Sequence, residues 1–328
     1  MKRVNIFVFF VVCIALTGLT GGCGKDEGVK VLKLAHGLDQ THPVHKAMVF
    51  LSEQVQEESG GSMRVDIYPS EQLGSERECL EQLQFGGLAM TKTSSSPLES
   101  FVPEMKVLGL PYIFRDSEHF WKVLNGDVGV ELLAAGSGVG LKGLCFYDAG
   151  ARSFYTVDTP IRKPEDLEGL KVRVQESRIA MDMVETMGAS PTPISWGELY
   201  TSLQQGVVDG AENNPPSVYT SQHYKICKYY CLDEHARPPD IVLISTVVWE
   251  SLSPEHQRIL QKAADDSVVY ERKLWAEKVD ESMEEIKKEG VEIIRPAKAP
   301  FRKAVEPMLE AFKGTKIGEL AERITKVQ

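Results

Sequence analysis

Basic runs are absent from this sequence. No stretch of Lys and Arg is longer than a few residues, and Asp and Glu outnumber them by 47 to 37, for a net charge of −10. That balance excludes the electrostatic footprint of a nucleic-acid binder. Enzyme signatures are missing too: there is no strand-turn-helix G-x-S-x-G, no H-E-x-x-H and no C-x-x-C. Cysteine is sparse, at 6 of 328 residues. Cys13 and Cys23 fall in the N-terminal stretch; Cys79, Cys145, Cys227 and Cys231 remain for the folded body and leave three disulfide pairings open. Cys227 and Cys231 have helical i,i+4 spacing and no second Cys/His pair, so they read as apolar-face residues rather than a zinc site. What is present is an ordinary globular composition, 42% hydrophobic and 26% charged, in a chain of 328 residues, enough for two domains.

The N-terminus sets the compartment. Lys2-Arg3 precede an apolar run from Val4 to Leu19, shorter than the roughly 20 residues of a membrane span. Thr20-Gly21-Gly22 and Cys23 follow. Residues 1–22 therefore read as an export signal, outside the fold. The segment resembles a bacterial lipobox, with Leu19 one place early and Thr20 in the usual leucine position. The resemblance implies that Cys23 is lipidated and anchors an extracytoplasmic protein to the membrane.

From Val29 onward the periodicity predicts β-α-β-α-β: a strand to His36, a helix from Pro43 to Gly60, a strand through Val65 and Ile67, a helix opened by the Ser75/Glu78 capping box, and a strand from Leu88 to Thr93. A mostly parallel sheet with crossover helices follows. Gly138-x-Gly140-x-x-Gly143 matches the dinucleotide fingerprint only as a string, because a helix precedes it and a strand, Leu141 to Phe146, follows. A second unit starts near Tyr147. It comprises a strand Lys171 to Val174, a helix capped by Ser177, an extended Pro191-Thr192-Pro193 link, a helix opened by a Ser195/Glu198 capping box, a strand-like Val207-Val208 and an Asp209-Gly210 turn. Ile241 to Val248 reads as a central strand. Ser253-Pro254 open a helix with no stop before Gly290, on the order of 50 Å long, which either spans both units or breaks near Tyr270. The fold class is α/β and two-lobed, resembling a periplasmic binding protein. The ligand cleft lies between lobe 1 (about 29–149 and 239–275) and lobe 2 (about 150–238 and 276–328).

One residue draws attention within that layout. Arg173 sits inside an apolar strand, Val172-Arg173-Val174, where a guanidinium either pairs with an acid such as Glu212 or Asp209 or holds a ligand carboxylate through two parallel hydrogen bonds. Arg152, just after the strand ending at Phe146, belongs at a carboxyl end of the sheet, where ligands of open α/β sheets bind. Asn213-Asn214 add polar groups at another such end, and together these favour an anion site. Trp196 could cover a sugar ring or lie in the core. Glu76 and Ser94 occupy the matching loop and strand end of lobe 1, positions open equally to solvated or capping residues. His36, His42 and His45 fall close together but lack the three or four convergent ligands of a zinc site, so neither metal nor cofactor is expected.

Those residues carry a resemblance. HPVHKA, YPSEQLGSERECLEQLQFG, LPYIFRD, PEDLEGLKVRV, MGASPTPISWGELYTSLQQGVVDGAENN and LSPEHQRILQKAA are similar to the solute-binding proteins of tripartite ATP-independent periplasmic (TRAP) transporters, the DctP-type family, over nearly all of the mature chain. The resemblance implies a receptor, not an enzyme, that closes on an organic acid and hands it to a membrane permease. It assigns Arg173 as the carboxylate clamp and carries ligand contacts to Arg152, Asn213, Trp196, Glu76 and Ser94. Gly37 stands where some members have a ligand-facing asparagine, which shifts first-lobe contacts toward His36 or His42. Glu212 to Ser217, ENNPPS, resembles members that bind sugar acids, implying a hexuronate such as glucuronate or galacturonate. A C4-dicarboxylate or another sugar acid is the alternative within the family. A secreted sugar-acid-modifying enzyme and a metal receptor using the histidines are the alternatives outside it.

Overall fold

In the computed structural model, residues 28–328 are described; the expected export signal, residues 1–22, and Cys23 lie outside them. The strands form two sheets. The first runs, in spatial order, β2 (Met63–Tyr68), β1 (Lys30–Ala35), β3 (Met90–Ser94), β10 (Asp240–Ser245), β4 (Leu141–Tyr147). The second runs β11 (Glu292–Ile294), β9 (Tyr229–Ala236), β5 (Arg152–Thr156), β8 (Gly210–Asn213), β6 (Lys171–Val174), β7 (Ser190–Pro193). The expected parallel β-α-β rhythm holds for β1 with β2 and β3, while β10 enters antiparallel between β3 and β4. Each sheet, with its helices, is one lobe. The chain changes lobes between β4 and β5 and returns between β9 and β10, and both crossings are short.

Local chemistry explains the elements. Val44, Ala47, Met48, Leu51 and Val55 lie three or four residues apart on the helix Pro43–Glu58, and all are buried. Each such side chain contributes about 1.5–3 kcal/mol by leaving water. Pro43 sits in the first turn, where its missing N–H costs nothing, and His42 caps it, with Nδ1 accepting from the Val44 N–H at 3.3 Å. The capping box of Ser75 with Glu78 forms as expected. The long helix runs unbroken from Pro254 to Lys288. It packs on the helix Pro43–Glu58 and β4 of the first lobe and on the helix Pro215–Thr220 of the second. Tyr270, where the alternative placed a break, stacks on Phe50 at 4.8 Å.

Four local expectations need correction. Val207-Val208 precede the strand rather than form it: β8 starts at Gly210, where a Cβ would come within 2.5 Å of the Tyr155 carbonyl oxygen, so only glycine lets β8 approach β5. The strand Ile241 to Val248 ends at Ser245 and becomes the helix Thr246–Ser251. Cys227 and Cys231 share no helix, since Cys231 lies in β9; both are free and buried, as are Cys79 and Cys145. Ser195 donates to the Glu198 carboxylate at 3.0 Å but makes no side-chain cap to the helix Trp196–Gln204. The Glu71 carboxylate, reaching over from the first lobe, occupies that helix's first turn.

Candidate ligand-binding site

Where the lobes meet, their polar strand ends line a cavity of about 480 Å³, counting its mouth and the solvent space there. His42, Glu76, Ser94, Arg152, Trp196 and Asn213 all line it. Arg173 and His36 do not. Arg173 lines a smaller adjoining cavity with Glu71 and Ile194, and Glu76, Gln175 and Trp196 are shared between the two spaces. Three contacts cross the cleft at the larger cavity: the Ser94 hydroxyl donates to Gln175 Oε1 at 3.3 Å, His42 Nε2 lies 3.4 Å from Ser217 Oγ, and Asn214 Nδ2 donates to the Ala149 carbonyl at 2.8 Å.

Strand parity decides how the two arginines are used. In the antiparallel pair of β5 with β8, Phe154 opposes Glu212, so Arg152 and Glu212 project from the same face. Arg152 Nε and Nη2 both donate to the Glu212 carboxylate, Nη2 also to the Glu212 carbonyl at 2.6 Å, and Nη1 to Asn213 Oδ1 at 2.9 Å. Arg152 was expected on a loop at the edge of the first sheet with its cation free for an anion. It instead opens β5 of the second sheet with its charge already neutralised. On β6, Arg173 opposes Ala211 of β8, so Glu212 points to the other face and cannot be its partner. Asp209, the other candidate, accepts from the Lys171 N–H at 2.8 Å.

Arg173 is therefore left with little. Among the described residues its Nε donates to the Ile194 carbonyl at 2.9 Å, and its buried Nη1 has no partner. The guanidinium carbon lies 5.8 Å from the centre of the Trp196 ring, a cation–π contact. Burial pushes its pKa below the usual arginine value, and the Arg152 charge adds to that push. A buried cation with N–H groups to spare is what an incoming carboxylate would neutralise.

Around this pair the histidines divide. His235 Nδ1 meets Asp233 at 2.8 Å and its Nε2 lies 3.5 Å from Glu212. Burial alone would lower His235, but these two carboxylates outweigh it and raise the imidazole to about 9. Burial would raise Glu212, yet Arg152 and His235 hold it down at about 2. On the cavity side burial wins, with nearby cations adding to it: His36 falls to about 2, His223 to about 3, and His42 lies well below its usual value. His36 Nδ1 accepts from the Leu38 N–H at 3.1 Å and its Nε2 meets His45 at 3.0 Å, so its ring is committed away from the cavity.

Two charged lining residues went unforeseen. Lys92 on β3 and Asp240 on β10 are buried, with Lys92 Nζ 3.2 Å from Asp240 Oδ2 and 3.3 Å from Glu76 Oε1. A lysine among the hydroxyl residues of Met90–Ser94 was the available signal. Asp240 joins it only because β10 returns to pair with β3, Asp240 opposite Ser94.

Two sheets meeting over a polar cavity, spanned by one long helix, define the class: a two-lobed solute receptor. The chain belongs to the bacterial extracellular solute-binding proteins, family 7 (DctP), which it matches over residues 34–315. That family is one of extracytoplasmic transport receptors rather than enzymes. The chain is 40% identical over 290 residues to the YiiZ protein of Salmonella typhimurium, covering 88% of each. It is 42% identical, with a TM-score of 0.88, to a TRAP periplasmic solute-binding protein of Xanthobacter autotrophicus solved with β-D-galacturonate, covering 90% of this chain and 100% of that one. A TRAP solute-binding protein of Chromohalobacter salexigens, solved with D-glucuronate, is 32% identical with a TM-score of 0.88, covering 90% and 100%.

Proposed function

We propose that this chain is the receptor of a TRAP transporter for a hexuronate, D-galacturonate or D-glucuronate, whose carboxylate Arg173 holds. The observation that carries this reading is the buried Arg173 Nη1 without a partner, beside the polar cavity between the lobes. The carboxylate takes the free face of the guanidinium, Trp196 covers the sugar's apolar face, and Asn213, Glu76, Ser94 and His42 read hydroxyls. Arg152 positions Asn213 through their hydrogen bond. The galacturonate and glucuronate in the two similar structures support the ligand class.

The lobes, divided near 149/150 and 238/239 and again along the long helix near 275/276, close as hinged bodies about the two short crossings. The closed receptor then delivers its ligand to the permease. Cys23 carries the lipid that keeps it at the membrane, and recovery of the mature protein wholly in the soluble extracytoplasmic fraction would refute that anchor.

A thermal-shift panel of sugar acids and dicarboxylates tests the function. Binding to the native state alone stabilises by mass action, about 2.7 kcal/mol at a ligand concentration of roughly 100 times Kd. A hexuronate is expected to raise Tm most. Silence toward every organic acid overturns the receptor reading, and a larger shift with a C4-dicarboxylate overturns the hexuronate assignment.

A further inference from the structure

Buried Lys92 and Asp240 and the part-buried Glu76 form a cluster of which the reading above uses only Glu76. All three line the larger cavity, and Glu76 also lines the adjoining one with Arg173. Parity makes the cluster: Lys92 and Ser94 alternate onto one face of β3, and Asp240, opposite Ser94 on β10, shares that face. Glu76 arrives from the first turn of the helix Glu76–Gln84, where its Oε1 also accepts from the Ser94 N–H at 3.1 Å. One ammonium thus serves two carboxylates, at 3.2 and 3.3 Å. Among the described residues, Asp240 Oδ1 and Glu76 Oε2 have no hydrogen-bond partner, and one ammonium N–H is left over.

We propose that this cluster is the specificity device for the end of the ligand that lies in the larger cavity, selecting a neutral, hydroxylated terminus and rejecting a second carboxylate. The inference rests on the hexuronate reading above. Two carboxylates against one ammonium leave an acceptor-rich, net-negative wall. Sugar hydroxyls donate to the free oxygens, and the spare ammonium N–H gives a hydroxyl an acceptor's partner. A carboxylate has no proton to donate, so it would bring like charge against Asp240 and Glu76 in a site with little water to screen it. Like charge set against a ligand suppresses the wrong partner. Arg173 says acid, and the cluster says one acid only.

The test compares galacturonate with galactarate, the same carbon skeleton with its aldehyde carbon oxidised to a second carboxylate, by titration calorimetry. D-glucuronate and glucarate form the parallel pair. The wild-type protein is expected to bind the uronate at least about tenfold more tightly than the matching dicarboxylate, and Asp240→Asn and Glu76→Gln are each expected to narrow that ratio. A dicarboxylate bound as tightly as its uronate overturns the inference and leaves the receptor reading intact. A ratio unchanged in both variants also overturns it, because shape rather than charge would then be responsible. Failure of the wild-type protein to bind any sugar acid removes the receptor reading itself, and this inference with it.

Discussion

Arg152 and Arg173 sit on two strands that flank β8, both almost wholly buried, and the sheet treats them in opposite ways. Arg152 donates to a carboxylate, a carbonyl and an amide oxygen; Arg173 donates to a single carbonyl. The difference is parity. Glu212 alternates onto the face of Arg152, and only Ala211 faces Arg173 across the pair of β6 with β8. A buried ion pair whose groups are matched serves the fold, whereas a buried cation without a match is a cost the fold carries for another purpose. On the reading proposed above, the same residue type does structural work at one site and binding work at the other.

The largest expected effect lies on the structural side. Arg152→Met leaves the Glu212 carboxylate buried opposite nothing but His235, and chemical denaturation is expected to show a loss of about 3–5 kcal/mol. Arg152→Met combined with Glu212→Leu should recover much of it, since two apolar side chains replace a whole pair. Full stability in the single variant would break the contrast. On the binding side, Arg173→Lys removes the planar fork but keeps the charge. Affinity for the hexuronate is expected to fall by about 2 kcal/mol, roughly 30-fold, while the midpoint of unliganded unfolding changes little. A variant that unfolds as readily as Arg152→Met would make Arg173 a structural residue after all.

How far these roles could be read in advance depends on the range of the interactions. Arg173 stood out because an isolated charge inside Val172-Arg173-Val174 is a local anomaly. The helix Pro43–Glu58 and the Ser75/Glu78 capping box were legible for the same reason: their patterns close within a few residues. Arg152 was misjudged because its partner lies 60 positions away on another strand, and neither spacing nor composition reports register. Asp240 was missed likewise, as it meets Lys92 across 148 positions of chain. Val207-Val208 looked like a strand by propensity, but the backbone approach that only Gly210 permits set where β8 begins. Pairing between distant strands is the part of the site that one sequence does not display.

Titration separates the two sides next. The raised His235 contributes stability that is complete below its unfolded value near 6.5 and is lost as pH climbs through about 9. The lowered His36, His42 and His223 do the reverse: the unfolded chain takes up protons there more readily, so stability falls as pH drops below 6.5. Glu212 adds its own acid loss between 4.5 and about 2. On these groups alone, denaturation midpoints across pH peak near 6.5. His235→Gln should reduce the slope between pH 6.5 and about 9 and leave the acid limb in place; above that window the buried thiols and phenols, which burial raises, cost stability in both proteins. A slope in that window unchanged by the variant would detach His235 from the Arg152 network.

The smallest effect tests Glu71, an acid that lines the smaller cavity with Arg173. Glu71 leaves the first lobe from a backbone at φ 58°, a conformation L-residues seldom adopt, and places its carboxylate over the start of the helix Trp196–Gln204. A Cβ at Gly197 would stand 2.3 Å from Glu71 Oε2, so the glycine makes room for it. Burial raises the Glu71 pKa, against the Gly197 N–H and the more distant Arg173 that lower it. No ion pair within 4 Å joins Glu71 to Arg173 among the described residues, and Glu71 Oε1 is buried without a partner. The contact is thus a helix N-terminus held across the cleft, worth about 0.3–1 kcal/mol. Glu71→Gln keeps the shape and loses the charge. Ligand affinity is expected to fall by no more than about fivefold, because closure loses one cross-lobe contact, while unliganded stability stays within about 1 kcal/mol of wild type. A loss of stability as large as that of Arg152→Met would mean that Glu71 is to Arg173 what Glu212 is to Arg152, and the two arginines would no longer differ in kind.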